Sequence, residues 1–145
     1  MTMTAKKISG TGRVSVLNDN PNKAMNNLTH KAKIAIIKIL TEILSADDIV
    51  RESELQYRND VAESFMLKQG YETEVERCDI QQALEVVKTL SAEQKSAIAQ
   101  MMGTMIVIDK DINYNEVKLY NDYCTICGIN NTFEPDEYPE YYKCS

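Results

Sequence analysis

The chain has 145 residues and a net charge of −6, a size that suits one compact domain and excludes a large multidomain protein. Apolar residues make up 43% and charged residues 26%, with only five Gly and three Pro, which excludes collagen-like, low-complexity and wholly disordered classes. The composition therefore predicts an ordinary globular protein with one hydrophobic core.

The N-terminal part of the chain is basic, whereas the rest is acidic. Residues 1–33 contain six Lys or Arg and one Asp, a charge of +5, which leaves −11 for the remainder. An acidic body repels a phosphate backbone, and the basic segment has no aromatic residue for base stacking, so we exclude nucleic-acid binding. Residues 1–27 are predicted to be a basic leader.

Nothing in the sequence indicates a targeting or membrane-spanning segment. The first ten residues lack the apolar block of a signal peptide, and no apolar run approaches the roughly 20 residues needed to cross a bilayer. We therefore expect a cytoplasmic chain without a transmembrane segment, whose four cysteines are mostly reduced.

Two helices are predicted in the first half of the body. The first follows the N-cap residue Thr29 and is apolar on nearly all sides, which predicts a core helix. The second runs from about Glu52 to near Gly70, with an apolar stripe that ends in Phe65 and Met66. Residues 70–78 are expected to be a polar connection.

Three further helices complete an all-α fold of about five main helices, since no segment alternates as a strand does. A third helix follows Asp79, and Ser91 with Gln94 matches a capping box at the start of a second apolar helix. The last helix begins at Asn113 and ends at Gly128, a good C-cap residue.

A short motif occurs twice, each time after one of the two apolar helices. Both copies follow the pattern Asp, x, x, Val or Ile, x, x, x, Glu, and they consist of Asp47, Val50 and Glu54, then Asp109, Ile112 and Glu116. The body is therefore predicted to contain two pseudo-repeated helical hairpins, with both apolar helices at the centre.

Helix capping explains most of this motif without a ligand. In the second copy, Asn113 is the N-cap residue and Glu116 the N3 residue of a capping box, and Ile112 with Val117 forms a hydrophobic staple. The first copy matches in part: Val50 and Leu55 form the staple and Glu54 is the N3 residue, but Arg51 is a poor N-cap residue. Such a device stabilises a helix start by about 1 kcal/mol.

The carboxylates of the two loops also suggest a cation site. An Asp at the C-terminal end of a helix is disfavoured by the macrodipole by about 0.3 to 1 kcal/mol, so backbone N–H groups or a bound cation should offset this cost. Oxygen ligands without His or Cys favour Ca²⁺ or Mg²⁺. The candidate metal ligands are Asp47, Asp48, Glu54, Asp109, Asp111 and Glu116. An intact EF-hand is excluded, since apolar residues occupy its first ligand positions.

The duplicated motif resembles the TerB-like family, which is named after a tellurite-resistance protein and is also found at the N-terminus of the DjlA co-chaperone. The resemblance covers about residues 28–129 and rests on Ala46 together with the two copies of the motif. It implies an all-α helical bundle, acidic residues that bind metal, and a non-enzymatic scaffolding role in stress-response or membrane-associated complexes. The chain departs from the family pattern where Asp48 and Lys110 replace a glycine.

The other chemically notable residues point to structure rather than catalysis. Cys124 and Cys127 form a Cys-x-x-Cys late in a predicted helix, without a further Cys pair or a nearby His, so we expect core cysteines. His30 is the single histidine and is expected to be solvated. The loop carboxylates are expected to be exposed, with ordinary pKa values, so the protein is predicted not to be an enzyme.

Residues 130–145 form an acidic tail that contains two prolines and several aromatic residues. We expect this tail to strap onto the body and bury aromatic side chains, among them Phe133, Tyr138, Tyr141 and Tyr142; the alternative is a free peptide that docks into a partner.

Two hypotheses of function follow from the sequence. The first is a scaffold module whose acidic loops bind Ca²⁺ or Mg²⁺, and the second is a metal-free adaptor that binds a protein partner while its Asp and Glu residues only cap helices. In both hypotheses the partner is an unidentified protein, and a peripheral association with a membrane complex is compatible with the resemblance.

Overall fold

The computed structural model describes residues 25–138, and within this range it contains six α-helices and no β-strand. Short 3₁₀ turns lie at each end of the range, at Met25–Asn27 and Pro135–Glu137. The helices are α1 (His30–Leu44), α2 (Glu52–Ser64), α3 (Tyr71–Arg77), α4 (Ile80–Lys88), α5 (Ala92–Val107) and α6 (Tyr114–Cys127). The all-α prediction is confirmed, with one short helix more than expected.

Local capping chemistry begins three of the six described helices where the sequence predicts them, whereas Asp79, which precedes α4, makes no side-chain cap hydrogen bond. The Thr29 hydroxyl accepts a hydrogen bond from the backbone N–H of Ala32 at 3.1 Å and begins α1. Ser91 and Gln94 form both hydrogen bonds of the capping box that begins α5. Gly128 ends α6 in the left-handed conformation, with φ +77°.

Two details of the predicted helices are wrong. The stretch expected to be a polar connection contains α3, which buries Val75 and carries acidic residues in its first turn and Arg77 in its last, as the macrodipole favours. Met66, expected on the apolar stripe of α2, is exposed because the helix ends at Ser64 and the chain turns at Met66 with φ +60°.

The centre of the fold is α1, which packs against all five other helices. Nine of its 15 residues are buried, and the second apolar helix, α5, packs against it and buries nine residues of its own. Both apolar helices therefore lie in the core, as predicted, and each is followed by a more polar helix that closes a hairpin. The two repeated loops connect α1 to α2 and α5 to α6.

The start of the acidic tail packs onto the body. Phe133 contacts Tyr120 edge-on and stacks on Tyr138, with ring centroids 5.8 Å and 6.0 Å apart. Tyr138 is buried against Gly103 of α5, which has no side chain to obstruct the ring. The strapping prediction is confirmed for Phe133 and Tyr138, whereas Tyr141 and Tyr142 lie outside the described residues.

The leader predicted for residues 1–27 falls mostly outside the described residues. Its last part, from Met25 onward, is described, and the Met25 side chain is buried in the core together with Leu28. Residues 25–28 therefore pack with the helical body.

Candidate functional site at the two repeated loops

The two copies of the sequence motif adopt the same backbone conformation. In the first, Asp47 Oδ1 accepts a hydrogen bond from the Ile49 N–H at 3.1 Å, and in the second Asp109 Oδ1 accepts one from the Asp111 N–H at 3.0 Å. These are Asx turns, and they satisfy each carboxylate at the end of its helix. The sequence predicted that either backbone N–H groups or a bound cation would stabilise an aspartate at the C-terminal end of a helix. The structure confirms the backbone N–H groups.

The residue after each of these aspartates is left-handed, with φ +64° at Asp48 and φ +66° at Lys110. An L-residue adopts this conformation at a cost, and Gly adopts it freely. Asp48 and Lys110, which stand where the TerB-like pattern has a glycine, therefore occupy positions at which the backbone conformation favours glycine.

Side chains from equivalent positions cross between the two loops. Asn113 Nδ2 donates a hydrogen bond to Asp47 Oδ2 at 2.8 Å, so the second loop reaches the first. Arg51, which occupies the equivalent position in the first loop, donates to the same Asp47 oxygen at 2.9 Å, and its Nε lies 3.0 Å from Asp109 Oδ2. The two loops are therefore tied together in both directions.

Glu54 and Glu116, the last residues of the two motif copies, lie beneath these ties and are fully buried, each with 0% of its surface exposed. Arg51 Nη1 lies 3.7 Å from Glu116 Oε2, close enough for charge attraction but too far for a hydrogen bond. Among the described residues, no N–H or hydroxyl group donates a hydrogen bond to either carboxyl group, and the two carboxyl groups face one another closely enough to share a proton in a hydrogen bond. The capping box expected at Glu116 is therefore absent, although Asn113 caps α6 as predicted.

Burial and the mutual proximity of the two glutamates change their protonation. Burial raises the pKa of both Glu54 and Glu116, and the Glu54 carboxylate raises the pKa of Glu116 further. The Arg51 hydrogen bond lowers the pKa of Asp47, and Asp47 in turn raises the pKa of Arg51. The expectation of exposed loop carboxylates with ordinary pKa values is wrong for this pair, because the helix starts turn the two glutamates inward.

Four of the six predicted metal ligands meet in this cluster, namely Asp47, Glu54, Asp109 and Glu116. Asp48 and Asp111 are exposed at the loop surface. Within residues 25–138, no group of three or more His, Cys, Asp or Glu side chains has the arrangement of a metal site.

The cluster already contains a cation, because the Arg51 guanidinium lies within 3.7 Å of Asp47, Asp109 and Glu116. The oxygen donors suit Ca²⁺ or Mg²⁺, but either ion would be repelled unless Arg51 moved away. As folded, the carboxylates of the cluster are balanced by the Arg51 guanidinium and by a proton shared between Glu54 and Glu116. This arrangement leaves less room for a divalent cation.

The outer surface of the two loops carries an apolar patch that the sequence interpretation missed. Ile49, Val50, Ile112 and Tyr114 are 58%, 55%, 38% and 77% exposed. Val50 and Ile112 were expected to be staple residues packed on their own helices, and both are exposed instead. The adjacent Ile49 and Val50 in a polar loop were the signal that could have indicated this patch.

Exposed acidic side chains belong to the same two loops and helix starts. We call this surface the loop face; it consists of Ile49, Val50, Ile112, Tyr114, Asp48, Glu52 and Asp111. It combines apolar contact area with a net negative charge, because the exposed Lys110 of the second loop offsets only one of the three carboxylates.

The cysteines behave as the sequence predicts. Cys124 and Cys127 are buried in the core, and burial raises the pKa of the Cys124 thiol to about 11. A thiol with so high a pKa is neutral near pH 7 and a poor nucleophile or metal ligand.

None of the helices between residues 25 and 138 is long and apolar enough to span a membrane.

Comparison with known proteins informs the fold alone. No family model matches the chain, and no curated protein matches it. A crystal structure of a protein of unknown function from Porphyromonas gingivalis W83 superposes with a TM-score of 0.63 and 22% identity, covering 73% of this chain and 90% of that one. The helical architecture therefore occurs in an experimental structure.

Proposed function

We propose that this chain is a non-enzymatic helical scaffold module that binds a protein partner through the loop face. The observation that carries the proposal is the exposure of four large apolar side chains on two loops and at the start of α6, where Arg51 and Asn113 tie the loops together. This is the metal-free adaptor hypothesis, with a defined surface and with a structural role for the buried carboxylates.

The concentration of apolar side chains on the loop face supports an interaction surface. Singly scattered exposed apolar residues are normal in folded proteins, whereas contiguous patches mark contact sites. In the described part of the chain, four of the six exposed large hydrophobic side chains belong to these two loops and to the first residue of α6. The ties between the loops hold the patch in one shape, which lowers the entropy lost when a partner binds.

The charge around the patch indicates the chemistry of the partner. Asp48, Glu52 and Asp111 are exposed beside the apolar side chains, and the body as a whole is acidic. A complementary partner presents apolar side chains flanked by Lys or Arg. In keeping with the TerB-like resemblance, we place this interaction in a cytoplasmic stress-response or membrane-associated complex.

Site-specific photo-cross-linking tests the proposal. A photoreactive residue replaces Val50 or Ile112 in the full chain in its source cells, and the matched control carries it at Ile126, which is 45% exposed and lies on α6 away from the loops. We expect one and the same protein to be captured from Val50 and Ile112 and not from Ile126. Capture should fall in the Asp48→Asn, Asp111→Asn background, and equal capture from Ile126 would contradict the proposal.

The predicted cation site has its own support and its own test. No N–H or hydroxyl group donates to Glu54 or Glu116, so their oxygens are available as ligands once the proton between them is released and Arg51 moves. Calorimetric titration of Ca²⁺ and Mg²⁺ into chelator-treated protein, with Asp47→Asn, Asp109→Asn as the control variant, decides the matter. Saturable heat that the variant lacks would favour the metal-binding scaffold, and absence of heat at millimolar metal would favour the adaptor.

A further inference from the structure

A second candidate site lies on another part of the molecule, in a cleft between the start of α1 and the helices α3 and α4. The cleft has a volume of about 360 Å³, at the small end of the range for ligand pockets. Its residues come from the first two turns of α1, the end of α3 and the exposed side of α4. None of them belongs to the loop face.

Most of the surface that lines the cleft is apolar, although polar side chains stand at its rim. Ile34 and Ala35 of α1 contribute buried side chains, and Val86 of α4 is partly buried beside them. Gln82 and Cys78 also line the cleft. Such a lining suits the hydrocarbon part of a small ligand.

Two cationic side chains, Lys31 and Arg77, also line the cleft. Among the described residues, neither forms an ion pair or a side-chain hydrogen bond. Glu74 is the single acidic residue of the lining, and His30 Nε2 contacts its carboxylate at 2.9 Å. The cleft is therefore positively charged in a protein of net charge −6.

We propose that this cleft binds an amphipathic monocarboxylate, such as a medium-chain fatty acid. The hydrocarbon chain lies on Ile34, Ala35 and Val86, and the carboxylate pairs with Lys31 and Arg77. The N-terminal end of α1 adds a favourable macrodipole for the negative group. A cationic or zwitterionic amphiphile lacks this complementarity.

The basic leader of the chain is a poor alternative occupant. The described residues begin at Met25, which is close in sequence to His30 and Lys31 of the cleft. However, residues 1–24 carry four Lys or Arg and one Asp, and this charge is repelled by Lys31 and Arg77.

Calorimetric titration of octanoate into the full chain tests the proposal, with 1-octanol and octyltrimethylammonium as probes of the same chain length. We expect saturable binding of octanoate and weaker binding of the other two probes. Lys31→Gln with Arg77→Gln should weaken octanoate binding about tenfold, because two partly solvated ion pairs are lost. The matched control, Lys68→Gln with Lys88→Gln, removes the same charge from exposed residues outside the cleft and should bind octanoate normally.

Backbone amide NMR shifts locate the ligand and separate this proposal from the loop face. Octanoate should shift the amides of Ala35, Gln82 and Val86 and leave those of Val50 and Ile112 unchanged. Gln82→Trp, at an exposed position of the cleft, should block binding while the protein stays folded. Octanol binding as tight as octanoate, equal affinity in both double variants, or shifts confined to the loop face would each overturn the proposal.

Discussion

Arg51 of the first loop lies against Asp109 of the second, with Nε 3.0 Å from Oδ2, while its Nη2 donates to Asp47 in its own loop. At the equivalent position of the second loop, Asn113 crosses in the opposite direction to Asp47. Asn113 caps α6 in the second copy, whereas Arg51, at the equivalent position of the first copy, is the counter-ion of the carboxylates. The near-symmetry of the loops is broken at this position.

Replacing Arg51 with Met should destabilise the protein by about 2 to 3 kcal/mol, because Asp47, Asp109 and Glu116 lose their shared counter-ion. The cost is below that of a fully buried pair, since 22% of the Arg51 side chain is exposed. Urea unfolding measures the change. Lys68→Met, at an exposed position outside the helices, serves as the control and should change stability by less than about 0.5 kcal/mol. Equal effects of the two variants would contradict a structural role for Arg51.

The buried glutamate pair predicts an unusual dependence of stability on pH. The pKa of each group is raised above its ordinary value of 4.5, so the folded state holds protons that the unfolded state releases. This contribution to stability is fully present below about pH 4.5 and is lost as the pH rises through the raised pKa values. Asp47, whose pKa is lowered, contributes in the opposite direction and loses its contribution as the pH falls.

Glu116→Gln should flatten this dependence, because the amide stays neutral at every pH. As the pH rises from about 5 to about 8, the free energy of unfolding of the variant should increase relative to that of wild type by on the order of 1 kcal/mol. Urea unfolding at both pH values measures this change. Glu76→Gln, which alters an exposed glutamate, should follow wild type. A parallel pH profile for Glu116→Gln and wild type would show that no proton is held there.

Gly103→Ala should destabilise the protein by about 1 to 3 kcal/mol, because the added methyl group would overlap the Tyr138 ring. Replacement of Gly by Ala in a helix interior otherwise stabilises a protein by about 1 kcal/mol. A loss of stability would therefore indicate the overlap with Tyr138. Urea unfolding measures the effect. In a Tyr138→Ala background the overlap disappears and the methyl group should become stabilising. The same cost in both backgrounds would mean that Tyr138 does not pack there.

Lys110→Gly should stabilise the protein by about 1 kcal/mol, because glycine adopts the left-handed conformation without strain. Asp48→Gly should gain less, since Asp tolerates this conformation better than Lys. Thermal unfolding compares these variants with Asp111→Gly, whose φ is not positive and whose replacement should destabilise by about 0.5 to 1 kcal/mol. Destabilisation by Lys110→Gly would show that the lysine side chain contributes more than its backbone conformation costs.

Local chemistry explains why much of the fold could be predicted. Thr29, Ser91 and Asn113 accept hydrogen bonds from backbone N–H groups within three residues, so their capping role depends on adjacent sequence alone. The short helix α3 was missed because seven residues with one buried side chain give little periodic signal, and its stability comes from packing on α1.

The sequence by itself determined the helical class, most helix boundaries, the two repeated motifs and the burial of both apolar helices. Only the tertiary structure decided how the carboxylates of those motifs are used. Sequence spacing cannot show that Arg51 reaches a residue of the other hairpin, that Glu54 and Glu116 point inward together, or that Val50 and Ile112 face solvent. These outcomes depend on how the two hairpins pack, because each long-range contact is made by side chains that are distant in the chain and meet only when the core has formed.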